Sequence, residues 1–185
     1  MDPLAVIKKF YPPDTSLYRT LVDHSRQVAD KSLEIARGLT GDHPDLDLPF
    51  IETAAMLHDI GIFLTQARSI GCTGDKPYIC HGYLGRELLD SLGLDKRLGR
   101  VCERHTGAGI TRDNIVTNRL PLPPRDMVPQ SMEEKIICVA DKFFSKSPNK
   151  KAPLDLDGVI RELTAIDPGH GRRFLTWARE LKVLV

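Results

Sequence analysis

One step in the chain constrains the rest: His58-Asp59, which ends the apolar run Ala54-Ala55-Met56-Leu57 and is followed by Ile60-Gly61. Ile51, Ala54, Ala55 and His58 fall on one face at helical spacing, so the imidazole points toward the core and not toward water. An imidazole and a carboxylate buried side by side need partners, because an unpaired charge in hydrocarbon is expensive. A lone His-Asp step is ordinarily satisfied by its own neighbour, but four more residues change that reading. His24 belongs to the stripe Leu21, Val28 and Ile35 of a helix expected over about 16–39. His81 opens a helix carrying Leu84, Leu88 and Leu92. His105 shares a stripe with Leu98 and Val101 in the last turn of a helix that begins near Asp95, and Asp141 lies in a row with Ile137 and Phe144. Helices that each aim an imidazole or a carboxylate inward suggest a metal.

The remaining segments frame these helices. A short helix is expected around residues 4–10, in an N-terminal stretch with no visible chemistry, and Asp47 with Pro49 starts the helix that ends in His58. His43, in the polar loop before it, has no enforced direction. Ser131 and Glu134 form a capping-box pattern ahead of the Asp141 helix. Residues 106–130 hold four prolines and no clear period, the pattern of a functional lid or a solvated crossover. After a basic linker over 147–153, two closing helices are expected at 156–166 and 168–185, with His170 at the polar start of the second and Phe174, Trp177, Ala178 and Leu181 along one side. No stretch alternates with period two, so the expectation is an all-α bundle of six or seven helices forming a single domain.

Composition narrows the function. Lys+Arg is 26 against Asp+Glu 25, so no net field recruits a nucleic-acid polymer or an anionic membrane surface. No apolar run reaches the length of a membrane span and the first residues lack the pattern of a signal peptide, which leads to the expectation of a cytoplasmic protein. Cys72, Cys80, Cys102 and Cys138 show neither CxxC nor finger spacing and read as small packing residues. Apolar residues near both ends would serve a homodimer or the monomer's own core.

The order His24, His58-Asp59-Ile60-Gly61, His81, His105, Asp141 resembles the HD superfamily of metal-dependent phosphohydrolases, in the HDIG form with two additional histidines for a second metal. The resemblance spans about residues 17–146, leaving 1–16 as an N-terminal extension and 147–185 as helices that complete the same domain. It implies an HD-type helical bundle in which His24, His58, Asp59 and Asp141 hold one divalent ion. Asp59, His81 and His105 hold a second, with Asp59 bridging. Two cations so placed ionise a water and clamp phosphoryl oxygens during in-line attack. The expected reaction is then cleavage of a phosphoester or phosphoanhydride of a small nucleotide-like substrate by a metal-bound hydroxide, with His58 and Asp59 as the catalytic pair. Nitrogen and carboxylate ligands without thiolates suit iron, manganese, zinc, nickel, cobalt or magnesium and do not choose among them.

No phosphate-cradling glycine loop or nucleophile elbow is present, so phosphate recognition falls to the metals and to basic side chains, the candidates being Lys76, Arg104, Arg112, Lys142 and Lys146. Family members that act on cyclic dinucleotides carry lysine after the HDIG step and a later glycine-tyrosine-proline signature. Ile62 and Thr106-Gly107-Ala108-Gly109 stand there instead, pointing away from cyclic di-GMP. His105-Thr106 and Val139-Ala140-Asp141 are similar to small HD hydrolases of diadenosine tetraphosphate, and nucleotide monoester phosphatases of the superfamily have comparable size. The same six ligands also resemble HD-type di-iron oxygenases of phosphonates or polyols. A third reading is a non-catalytic metal- or nucleotide-binding module.

Overall fold

The helix that carries the His-Asp step is apolar on nearly every side, and a helix of that kind has to lie in the interior. In the computed structural model, which describes residues 1–147 and 152–183, this helix is α3 (Leu48–Leu57), with Phe50, Ile51, Ala54, Ala55, Met56 and Leu57 all buried. Asp47 caps it by accepting the Phe50 N–H at 3.0 Å. Each aliphatic side chain fully buried here contributes about 1.5–3 kcal/mol, so α3 is the element against which the others are placed. Before it come α1 (Pro3–Ile7) and the long α2 (Ser16–Leu39), whose inward stripe includes Leu21, His24, Val28, Ile35 and Leu39. α4 (His81–Ser91) and α5 (Lys96–Arg104) pack against each other, α5 also packs on α3, and α7 (Met132–Asp141) lies against α2, α3 and α5.

Two closing helices, α8 (Leu156–Ile166) and α9 (Pro168–Glu180), follow. Asp167 separates them, its amide bonded to the Leu163 carbonyl and its side chain accepting from Gly169 N–H at 2.6 Å. Phe174, Trp177, Ala178 and Leu181 face inward as their spacing predicts, and they share one continuous core with Val6, Ile7 and α3. Of the linker expected over 147–153, positions 148–151 lie outside the described residues, as do positions 184–185 of the last expected helix. No helix among the described residues is long and apolar enough to cross a membrane.

The described residues contain nine α-helices, where the hydrophobic period predicts six or seven. The two beyond that number are short: α1, with five residues, is the helix expected around 4–10, and α6 (Arg112–Thr117), with six, was not expected. Neither is long enough to show a period. A small sheet also forms where a loop was expected, from β1 (Thr65–Ala67), β2 (Cys72–Thr73) and β3 (Lys76–Pro77) in the order β2-β1-β3. β2 runs antiparallel to β1 and β3 parallel to it. Strands of two or three residues leave no alternation to read.

The irregular stretch over 106–130 is ordered. Thr111 and Asn114 make a reciprocal capping box at the head of α6, and Ile110 pairs with Met127 across an antiparallel bridge. Ile110, Ile115, Leu122 and Met127 form a second small core with Cys80. The pattern at Ser131 and Glu134 is only half a box. Ser131 accepts the Glu134 N–H, but the Glu134 carboxylate turns to the Gln130 N–H and to Arg104.

Candidate metal centre

Three of the four inward-facing histidines are set by the same local device. His58 follows the last residue of α3, His81 is the first residue of α4, and His105 follows the last residue of α5. Each places Nδ1 against the carbonyl three residues earlier: Ala55 at 2.6 Å, Tyr78 at 2.6 Å and Cys102 at 2.7 Å. Donation from Nδ1 orients each ring and turns its Nε2 inward, which for neutral His81 and His105 is the lone-pair nitrogen. His24, from the middle of α2, brings its Nε2 to 3.0 Å from Asp141 Oδ1.

Asp59 stands between two groups of these atoms. Its Oδ2 lies 3.2 Å from His58 Nε2 and 3.3 Å from His24 Nε2, while its Oδ1 lies 3.4 Å from both His81 Nε2 and His105 Nε2. Asp141 Oδ1 completes the first group, 3.4 Å from His58 Nε2. The ligand-type atoms of His24, His58, Asp59 and Asp141 all lie within 4.8 Å of one another, as do those of Asp59, His81 and His105. His58 Nε2 and Asp59 Oδ1 have no hydrogen-bond partner although both are buried. His81 Nε2 and His105 Nε2 face each other at 3.1 Å, two lone pairs aimed at the same space. Buried nitrogen and carboxylate atoms left without partners are what a divalent cation satisfies, and an all-nitrogen-and-carboxylate set fits one.

Burial opposes charge throughout the cluster, and the neighbours decide where charge survives. Burial depresses His58, but Asp59 and Asp141 outweigh it and hold that imidazole up at about 9. Burial brings His81 down to about 3, with His105 and Lys146 adding to the effect. His105 is lowered by burial and by the charge on His58. The two carboxyls lie well below the usual range: burial would raise them, but Lys146 and His58 beside Asp59, and Lys142 and Lys146 beside Asp141, dominate. An imidazolium at His58 and a cation at its Nε2 exclude each other, so cation uptake there releases a proton.

The five basic residues singled out from the sequence separate cleanly. Lys146 reaches the cluster, its Nζ 2.5 Å from Asp59 Oδ2 with the side chain 14% exposed, and Lys142 Nζ lies 2.5 Å from Asp141 Oδ2. The other three do not approach it. Lys76 is half exposed at the sheet edge, 3.6 Å from Asp75. Arg104 is committed to both oxygens of Glu134 at 3.0 and 2.8 Å. Arg112 lies exposed at the start of α6, its backbone N–H bonded to Asp126. A basic residue in sequence shows its charge but not its reach.

A cavity of about 550 Å³ opens on Asp141, Lys142, Lys146 and Tyr78, with hydrocarbon walls from Ile70, Phe144, Val159 and Leu163. A second, about 320 Å³, reaches His24 and Lys146 from the α2 side past Thr20, Asp23 and Gln27. Tyr78 escapes sequence reasoning: it lies in a short 3-10 turn, stacks on His81 with centroids 4.7 Å apart, and lines the larger cavity. Only its place three residues before His81 hints at this. All four cysteines are free and buried, as packing residues should be.

Known proteins place the chain. An uncharacterized protein of Methanocaldococcus jannaschii is 32% identical over 142 residues, 77% of this chain and 74% of that protein. A tRNA (cytidine(56)-2'-O)-methyltransferase of Thermoplasma volcanium is also 32% identical over 142 residues, but these make up only 37% of its length. A second methyltransferase of that name, from Picrophilus torridus, is 38% identical over 99 residues, 54% of this chain and 25% of the longer protein. The crystal structure of the HD domain of the L. monocytogenes phosphodiesterase PgpH superposes with a TM-score of 0.55 at 16% identity, covering 94% of this chain and 85% of that one. That likeness is one of fold. The HD domain model matches residues 21–145, the span that runs from the stripe bearing His24 to just past Asp141, and the chain therefore belongs to the HD domain family.

Proposed function

We propose that this protein is a metal-dependent phosphohydrolase acting on a small nucleotide-like phosphoester or phosphoanhydride. The observation that carries the proposal is Asp59, buried, with one oxygen turned to each of two groups of ligand-type atoms. His24, His58 and Asp141 would hold one divalent ion and His81 and His105 the other, with Asp59 shared. Such a pair supplies an activated water and neutralises phosphoryl charge. The chain's own residues do the rest. Lys146 and Lys142, at the floor of the larger cavity, bind phosphoryl oxygens as point charges. Tyr78, Ile70, Phe144 and Leu163 enclose the organic part of the substrate and exclude water from it. Hydrocarbon walls suit a nucleoside-like body better than a polyol, which would leave its hydroxyls unpaired there.

The test is metal analysis of untagged protein followed by a phosphatase screen over nucleotides and dinucleoside polyphosphates. Asp59→Ala is expected to abolish hydrolysis with helical circular dichroism unchanged. Wild-type rates in a folded Asp59→Ala protein would remove the site assignment. Turnover that consumes dioxygen with iron, and none with manganese or zinc, would replace hydrolysis by oxygenation.

A further inference from the structure

Tyr11 precedes the segment matched by the HD domain model, which begins at residue 21. The structure sends it into the core, 1% exposed, with its hydroxyl at the turn that follows Asp59. That hydroxyl donates to the Ile60 carbonyl at 2.6 Å and accepts from the Phe63 N–H at 3.2 Å. The ring meets Phe63 edge-on, centroids 5.2 Å apart. Within the turn, the Ile60 N–H bonds to the Leu57 carbonyl and the Ile62 N–H to the Asp59 carbonyl, each at 3.0 Å. Tyr11 thus satisfies two groups that the turn leaves over. On the opposite side Gly61 lies against α4, where an added Cβ would overlap the His81 carbonyl and the Gly85 backbone. The turn is clamped between α4 and one tyrosine from the N-terminal segment.

We propose that Tyr11 is a positioning residue of the metal centre, holding the backbone next to Asp59 so that each carboxylate oxygen faces its own ligand group. The proposal rests on the reading of the cluster as a cation site. Asp59 meets four imidazoles at 3.2–3.4 Å, so a small rotation of its backbone loosens both groups together. Freeing the Ile60 carbonyl and the Phe63 amide from Tyr11 permits that rotation.

Tyr11→Phe keeps the ring and removes only the hydroxyl. Calorimetric titration of the full chain with Mn²⁺ is expected to show affinity about tenfold weaker, and kcat toward p-nitrophenyl phosphate about tenfold lower with KM nearly unchanged. Ile7→Val, in the same buried N-terminal segment, serves as the control: lower thermal stability with Mn²⁺ affinity and kcat as in wild type. Should Tyr11→Phe not fold, Phe63→Leu loosens the seat of the Tyr11 ring, with a smaller loss expected in the same two quantities. A folded Tyr11→Phe protein, or in its place Phe63→Leu, with a lowered melting temperature but wild-type affinity and kcat overturns the proposal. A chelator-stripped wild-type protein that takes up none of Mn²⁺, Zn²⁺, Co²⁺, Ni²⁺, Mg²⁺ or, without oxygen, Fe²⁺ removes the cation site itself, a failure visible before any variant is made.

Discussion

Lys146 and His170 show how differently single side chains are used around this centre. Lys146 touches the cluster and a cavity at once, so Lys146→Met is expected to raise KM about tenfold or more and to weaken competitive inhibition by inorganic phosphate, the scale of one lost charge-assisted contact of about 1.5–3 kcal/mol. Lys76→Met should change neither, and equal effects from the two would refute the assignment in steady-state kinetics. His170, expected at a polar helix start, is buried. Its Nδ1 accepts the Ala108 N–H at 3.2 Å, and its ring packs against Gly107, whose φ of 60° and lack of a side chain permit the contact. Burial, and then the charge on Arg173, push its pKa below the usual imidazole value. As pH falls, the unfolded chain takes up this proton before the folded one, so His170's contribution to stability is complete above about pH 6.5 and is lost below it. Ring resonances of His170 followed by NMR should titrate with a midpoint below 6.5; a midpoint above it would mean that the Ala108 contact does not form.

Among the elements, the turn that follows α3 has little room against α4. Gly61→Ala places a methyl group against the α4 backbone, and overpacking of this kind costs about 1–3 kcal/mol. Gly38→Ala, near the exposed end of α2 with nothing within 4 Å of the added carbon, should instead stabilise by about 0.5–1 kcal/mol through helix propensity. Urea unfolding midpoints of the two variants should move in opposite directions; a neutral Gly61→Ala would show that α4 can retreat. The long helices were legible in the sequence because α2, α3 and α7 carry their burial pattern in their own period. The sheet over residues 65–77 was not, since its pairing lies between pieces too short to show any pattern. Glu134 was misread for a related reason: its spacing from Ser131 is right for a cap, but Arg104, thirty positions earlier, offers a stronger partner.

The whole molecule gathers one core from both ends of the chain around the cluster, so cation binding and folding are linked. If the centre binds Mn²⁺, metal at about a hundred times its dissociation constant adds about 2.7 kcal/mol. That is a rise in melting temperature of roughly 5–10 °C over protein kept in chelator, and identical melting curves would argue against binding to the folded state. The local sequence by itself determined that His24, His58, His81, His105 and Asp141 turn inward, because the direction of a side chain on a helix follows from spacing to its apolar neighbours. Only the tertiary structure decided that they meet within a few ångströms around Asp59, that Lys146 arrives while Arg104 does not, and that Tyr11 grips the turn beside them. Those outcomes depend on distances between residues far apart in the chain, which packing sets and no local period encodes.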